Sequence, residues 1–339
     1  MLKLKTLCLG VLAAVGGLSA AHGDTLETVR ERGVLHCGVT TGFAGFSAPD
    51  SQGNWKGLDV DMCRAVAAAV FGDAGKVKTV PLNSQQRFTA LQSGEIDLLA
   101  RNTTVTQQRD TALGAIHAGI NFYDGQGFLV PKSLGVKSAK ELNDASVCMQ
   151  QGTTNENTMA DWARSHDIKY KPVVFDQFNE VVGAFAAGRC DVFTTDASGL
   201  ASIRISRLEN PDDYIVLPEI ISKEPLGPYV RQGDDAWLNV VKWSLQAMIG
   251  AEELGVTSEN VDKMRESTSP DIRRLLGVTE GAGKNMGLDE AWAYNIVKQV
   301  GNYGQSFERN VGQESALKIQ RGLNALWTEG GLMYALPIR

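Results

Sequence analysis

Beyond its first two dozen residues the chain has no apolar run long enough to cross a bilayer, so that part reads as soluble. Nor is positive charge in excess: 33 Lys and Arg stand against 39 Asp and Glu, a formal charge of −6. That balance argues against nucleic acid and anionic lipid as partners. Histidine is scarce, and His22, His36, His117 and His166 do not cluster. The cysteine spacings match no zinc site either, so neither a metal nor another cofactor is expected.

What is present begins with an export signal. Lys3 and Lys5 precede an apolar stretch over 7–18, followed by the small residues Ser19-Ala20-Ala21-His22-Gly23. That order is a secretory signal peptide, with cleavage expected after Gly23 or, alternatively, after Ala21. Removing residues 1–23 leaves 316 residues carrying 31 basic and 39 acidic side chains. At about 150 residues per domain this is roughly two domains, enough for substantial hydrophobic cores. Cys8 lies too early, and without a small-residue context, to be a lipid attachment site, and it leaves with the signal. Cys37, Cys63, Cys148 and Cys190 remain. An even count in an oxidising compartment reads as two disulfides, with three pairings open.

Strand-like runs alternate with helical patterns, which predicts an α/β protein with largely parallel sheets. Strands are expected at 34–39, 77–81 and 96–100. Leu58-Asp59-Val60-Asp61-Met62 leads into an Ala/Val-rich helix, and a second helix over 85–92 stops at Ser93-Gly94. Two segments echo each other 94 residues apart: FTALQSGEIDLLARN (88–102) and VGAFAAGRCDVFTTD (182–196). In each, a helix ends at glycine (Gly94, Gly188), an aspartate follows (Asp97, Asp191), and an apolar strand ends in polar groups. Two similar lobes follow, with Asn102 and Asp196 in matching places at strand ends, where open α/β sheets bind ligands. Near the C-terminus, 288–300 and 313–327 read as amphipathic helices joined at Gly301-Asn302-Tyr303-Gly304.

The stretch RNTTVTQQRD (101–110) crowds anion-binding groups at a strand end. Thr106 has the look of an N-cap. The N–H groups of the helix it opens favour an anion, Arg109 adds a bidentate fork, and Thr104 offers a hydroxyl beside it. QGTTNEN (151–157) repeats the theme after a strand, and Thr153 with Glu156 fits a capping box. Thr194-Thr195-Asp196 then supplies a carboxylate for a cation. Anion donors in both lobes plus one acid fit the zwitterion of an α-amino acid.

With Gly57-Leu58-Asp59-Val60-Asp61, LQSGEIDLLARNTTVTQQR, QGTT and GRCDVFTTD in this order, the chain resembles the periplasmic solute-binding proteins of polar amino-acid ABC transporters. These are the bacterial solute-binding proteins of family 3. The resemblance runs over about 32–270. With AWAYNIVKQVGNYGQSFERNVG beyond it, the chain is most similar to general L-amino-acid binders and glutamate/glutamine/aspartate/asparagine binders.

The resemblance implies a two-lobed type II periplasmic binding protein with a hinge: lobe 1 over 24–121 and 225–270, lobe 2 over 122–224, and a C-terminal helical extension, 271–339, packed on lobe 1. It implies that Arg109, Thr104 and Thr154 hold a ligand α-carboxylate. Asp196 and acceptors near Asn102 hold its ammonium, Phe43 and Phe46 line the pocket, and Ser84 and Arg87 meet its side chain. Thr40 stands where some acidic-amino-acid binders carry a further arginine, which favours a broad polar range over strict acid selectivity. Because a disulfide across the lobes would tether the hinge, Cys37–Cys63 and Cys148–Cys190 are the expected pairs. The implied partners are an L-amino acid and the inner-membrane permease, and the protein is expected to be a monomer. An enzyme on the same fold, such as a periplasmic dehydratase, and a sensory ligand-binding protein are the alternative readings. Neither a histidine near the motifs nor a fused signalling domain supports them.

Overall fold

The computed structural model describes residues 24–339. The expected signal segment, with Cys8 and both cleavage points, lies outside the described residues. Among the described residues no helix is long and apolar enough to cross a membrane, and no group of His, Cys, Asp and Glu is placed to hold a metal.

Two five-stranded sheets form the two lobes. The strands are β1 (Leu35–Val39), β2 (Val77–Pro81), β3 (Leu98–Leu99), β4 (Ala115–His117), β5 (Phe122–Asp124), β6 (Gln126–Pro131), β7 (Ala145–Gln150), β8 (Tyr170–Phe175), β9 (Val192–Asp196), β10 (Tyr214–Val216), β11 (Glu224–Leu226) and β12 (Tyr229–Arg231). The first sheet has the order β2-β1-β3-β12-β4 and the second β8-β7-β9-β6-β10. In both, the first three strands are parallel, and the fourth and fifth are joined antiparallel. The echo seen in the sequence is therefore one unit built twice. Its aspartates do the same work in each copy. Asp97 accepts the amide of His36 at 2.8 Å and also bonds Arg32, and Asp191 accepts the amide of Ser146 at 2.7 Å. Each carboxylate thus holds the beginning of the neighbouring parallel strand. Gly94 and Gly188 adopt φ of 79° and 68° just past their helices, the left-handed conformation in which glycine carries no Cβ penalty.

The main helices are α1 (Thr25–Arg32), α2 (Leu58–Phe71), α3 (Gln86–Ser93), α4 (Gln107–Ala112), α5 (Thr154–Ser165), α6 (Phe178–Ala186), α7 (Ala197–Ser206), α8 (Asp235–Glu253), α9 (Trp292–Val300) and α10 (Tyr303–Asn310), with two short helices, Val261–Met264 and Pro270–Leu275, between α8 and α9. Leu58 to Met62 do not lead into α2 but form its opening turns, where Asp59 and Asp61 face the positive end of the helix dipole. Cys37–Cys63 ties β1 to α2, with Cα atoms 6.1 Å apart, and Cys148–Cys190 ties β7 to the turn before β9 at 5.7 Å. Each bridge stays within one lobe and contributes roughly 2–4 kcal/mol without restraining the hinge.

The C-terminal segment differs from the sequence reading. The second amphipathic helix is α10, not 313–327. Asn302 starts it through a capping box with Gln305, and buried Asp61 of α2 accepts from Ser306 and Asn310, each at 2.7 Å, and from Arg309. Residues 313–327 fold as turns instead. Lys318 takes φ 54° and Gly322 φ 50°, and both values break a helical path. The helices α9 and α10 pack against α2 and α8, on the lobe 1 side.

The chain passes between the lobes at β5 and β11, which pair antiparallel with Asp124 opposite Glu224 and Phe122 opposite Leu226. The lobes are drawn together. Phe43 of lobe 1 packs on Phe178 of lobe 2 with ring centroids 5.3 Å apart, and its ring edge lies over Gly199 in α7. A Cβ on Gly199 would meet that ring at 2.8 Å and Thr195 at 3.0 Å. A glycine inside a helix costs about 1 kcal/mol relative to alanine, and here it makes room for the approaching ring. Gly199→Ala should therefore prop the lobes apart, at an overpacking cost of roughly 1–3 kcal/mol in the closed form. Small-angle X-ray scattering under conditions that close the wild type should give a larger radius of gyration for the variant. Identical profiles would show that Phe43 can give way.

Candidate functional site

The cavity between the lobes contains about 460 Å³ of atom-free space, part of it open to solvent. Lobe 1 contributes Ser84, Arg87, Arg101, Asn102, Thr104 and Arg109, together with Thr40 and Phe43. Lobe 2 contributes Thr154, Asn155, Phe178 and Asp196 among others. Of the residues expected from the sequence, only Phe46 stays outside. It is buried behind Phe43 and packs edge-on against Phe122, so it supports the wall without forming it.

Three guanidinium groups dominate the lobe 1 side. Thr106 caps α4 by accepting the amide of Arg109 at 3.2 Å, which fixes where that side chain leaves the backbone. Its Nη1 donates to the carbonyl of Thr104 at 2.7 Å. Arg87 donates to Gly152 O of lobe 2 at 3.2 Å and to Thr103 Oγ1 at 3.4 Å, and its Nε is enclosed without a partner. Arg101 donates from Nε to Leu82 O at 2.9 Å and from Nη2 to Ser84 Oγ at 3.0 Å. The heads of Arg87 and Arg109 both lie over the Phe88 ring, 5.3 and 5.6 Å from its centroid, a cation–π contact that compensates part of their dehydration. Among the described residues, none of the three forms an ion pair. Burial lowers all three below the ordinary arginine value, repulsion from neighbouring guanidiniums adds to it for Arg87 and Arg101, and Arg101 is brought to about 10. Arginine keeps its charge inside proteins, so all three are cations. The lobe 1 face of the site is thus cationic.

Thr104 and Thr154 face each other across the cleft, with hydroxyls 3.4 Å apart. Thr154 Oγ1 donates to Glu224 of the hinge at 2.9 Å, so its amide at the start of α5 is the donor left for a ligand. The expected capping box does not close. Thr153 turns its hydroxyl to Gln150 O at 2.8 Å, while Glu156 accepts the amide of Gly152 at 2.8 Å. The reason lies in Gly152, whose φ of 75° bends the turn toward Glu156.

The acidic side is Asp196, steadied by Asn155 Nδ2 at 3.1 Å. Burial, then the nearby Asp124 and Glu224 carboxylates, push its pKa well above the ordinary range. Asn102 holds φ 34°, unusual for a non-glycine residue. Its amide donates to Asp59 Oδ2 at 2.7 Å, and its Oδ1 is enclosed without a partner. Asp59 is itself raised to about 6 by burial.

Sequence reasoning did not assign roles to Arg101, Glu224, Asp59, Asn155 and Phe178. Arg101 stood in the stretch already singled out, and its position directly after an apolar strand was the available signal. Glu224 gave none, because only the hinge pairing brings it to the cleft.

The family described as bacterial extracellular solute-binding proteins, family 3, matches residues 35–260. The general L-amino acid-binding periplasmic protein AapJ of Rhizobium johnstonii is 56% identical over 339 residues, 99% of each chain. The glutamate/glutamine/aspartate/asparagine-binding protein BztA of Rhodobacter capsulatus is 52% identical, covering 94% of this chain and 95% of its own. Among solved structures, an ABC transporter/periplasmic binding protein from Brucella ovis with glutathione bound superimposes with a TM-score of 0.92. It is 54% identical and covers 94% of this chain and 100% of its own.

Asp59 and Asp124 both have folded pKa values near 6, caused first by burial, against an ordinary 3.8. Between those values the folded protein holds protons that the unfolded chain has released. The stability they contribute is complete below the ordinary value and is lost as pH rises toward 6. Thermal unfolding of the ligand-free protein should therefore fall between about pH 4 and 6. Asp124→Asn, which cannot ionise, should flatten that fall. An equally steep fall in the variant would mean that Asp124 ionises normally in the folded protein.

Proposed function

The chain belongs to the bacterial extracellular solute-binding proteins, family 3, and from that premise we propose that it captures polar and acidic L-amino acids in the periplasm. Glutamate, glutamine, aspartate and asparagine are its ligands in this reading, and hinge closure delivers them to an inner-membrane ABC permease. The observation that carries the reading is the cluster of three buried guanidiniums without a carboxylate partner, beside a buried acid. An α-amino acid brings both charges the cavity lacks.

In this reading Arg109, the Thr104 hydroxyl and the Thr154 amide hold the α-carboxylate. Asp196 and the unpartnered Asn102 Oδ1 hold the ammonium, Phe43 and Phe178 cover the aliphatic part, and Ser84 and Arg87 meet the side chain. The Asp196 carboxyl, pushed toward its neutral form in the empty site, ionises against the ligand's ammonium. Capture without chemistry is the reading that the relatives favour, since AapJ and BztA are binding proteins. Names of relatives that specify the periplasm support export through the signal segment at 1–23.

A γ-glutamyl peptide is the second reading, favoured by the glutathione in the Brucella ovis relative. Beside the cavity, an open groove lined by Gln85, Phe88, Gln108 and Glu156 shares Ser84, Arg109, Thr153 and Thr154 with it. A γ-glutamyl head could occupy the cavity while the remainder lay along that groove.

A thermal-shift screen against the twenty amino acids and glutathione tests both readings; no shift with any of them would refute the function. Arg109→Ala should weaken every amino acid together, by roughly ten- to over a hundredfold for a lost charged hydrogen bond. Arg87→Ala should weaken glutamate and aspartate most, on top of a smaller uniform loss from its bond to Gly152. Calorimetric titration with glutamate and glutamine separates the two. An unchanged glutamate-to-glutamine ratio in Arg87→Ala would remove Arg87 from the side-chain subsite.

A further inference from the structure

Arg101 is 4% exposed, a depth at which arginine is normally paired with an acid. Its Nε and Nη2 are committed to Leu82 O and Ser84 Oγ. Its Nη1 makes no hydrogen bond among the described residues, nor is it an enclosed, unsatisfied atom, and the side chain lines the cavity. Two fixed bonds on one edge of the guanidinium hold its plane and leave the other edge available. Asp59 lies close enough to favour the charged form, but no carboxylate lies within ion-pair distance. Arg101 also holds Ser84, so the hydroxyl of the side-chain subsite is oriented by a second cation.

The position is informative in relation to Thr40. The hydroxyl of Thr40 is turned to Ser47, accepting or donating at 2.8–2.9 Å, so the first strand loop brings no positive charge to the cavity. A charge that could have come from that loop comes instead from the end of β3. Arg87 cannot supply it alone, because its Nη2 is engaged with Gly152 across the cleft and its Nη1 leans on Thr103. Among the described residues Arg101 makes no hydrogen bond across the cleft, although the Asp196 carboxylate of lobe 2 favours its charge, so its free edge is left for a ligand.

We propose that Arg101 is a specificity-determining residue that receives the side-chain carboxylate of a dicarboxylic amino acid, with Ser84 and Arg87 beside it. This rests on the reading of the cavity as an amino-acid site. It makes glutamate and aspartate the preferred ligands and their amides weaker ones. An amide still accepts through its carbonyl oxygen but brings no charge to offset the buried guanidinium.

The test is calorimetric titration of the full mature chain and its Arg101→Gln and Arg101→Lys variants with glutamate, aspartate, glutamine and asparagine. Arg101→Gln should lose roughly ten- to a hundredfold in affinity for glutamate and aspartate, and less than about threefold for the amides. Arg101→Lys, which keeps the charge but not the fork, should retain part of the acid preference. Parallel losses for all four ligands would show that Arg101 only braces Leu82 and Ser84, and would overturn the proposal while leaving the function intact. Undiminished glutamate binding would overturn it equally. Should Arg101→Gln fail to fold, Arg101→Lys decides alone: an unaltered acid-to-amide ratio with an intact melting profile would end the idea. Wild-type protein that binds none of the four refutes the function itself, and this inference with it.

Discussion

Positive charge concentrated in a closing cleft is the constraint on which the rest of this protein depends. Taking a guanidinium out of water is costly unless a counter-charge or a full set of acceptors replaces the water. Arg87, Arg101 and Arg109 have carbonyls, hydroxyls and the Phe88 face as partial compensation, but no carboxylate within ion-pair distance. Closure over an empty cavity therefore leaves repulsion uncompensated, whereas closure over an anion relieves it. A ligand shifts a conformational equilibrium only as far as it favours one state over the other. In the proposed function, ligand carboxylates balance that charge and so favour the closed state.

The same constraint explains the acids. Asp196, Asp124 and Asp59 are all pushed toward their neutral forms, with burial the first cause in each. Were they fully ionised and in direct contact with the arginines, the cavity would be self-neutralised and would have little use for a ligand. They are instead held away from the guanidiniums by bonds to neutral donors: Asp59 to the Asn102 amide, Asp124 to the Gly125 amide, Asp196 to Asn155. Separation of the two signs within one cleft is what lets a zwitterion fit.

Much of this was legible in the sequence, and the reasons are local. Gly94 and Gly188 signalled helix ends because only a left-handed residue turns the chain there, and Asp97 and Asp191 followed at fixed spacing because each anchors the next strand. The Thr106 cap and the place of Arg109 in the cavity lining followed from chemistry within a few residues. What escaped depended on distant partners. Phe46 could not be separated from Phe43 by pattern, since both are buried aromatics in one loop and only Phe122 behind the first of them decides which faces the cavity. Residues 313–327 carry helix-compatible apolar spacing, but the helix formed at Asn302, where Asp61 of α2 gathers three donors from α10. Arg101 was visible as a residue but not as a role, because its fixing partners, Leu82 and Ser84, come from the preceding loop.

The hinge is not a passive connector in this arrangement. β11, one of its two strands, carries Glu224, which accepts the hydroxyl of Thr154 at 2.9 Å and that of Ser222 at 2.6 Å. Two residues on, Leu226 bridges to Thr104 of lobe 1. The threonines that face each other across the cleft are thus each tied to the same short hinge strand, Thr154 by its own side chain and Thr104 through its neighbour Val105, whose amide donates to Pro225 O at 2.7 Å. A shift of β11 moves both, and whatever occupies the space between them acts on β11 in turn. The Thr154 hydroxyl is spent on the hinge, so in the proposed binding mode a ligand meets the amide of that residue, and recognition and closure use separate contacts. That division lets one residue serve recognition and motion without either bond being broken for the other.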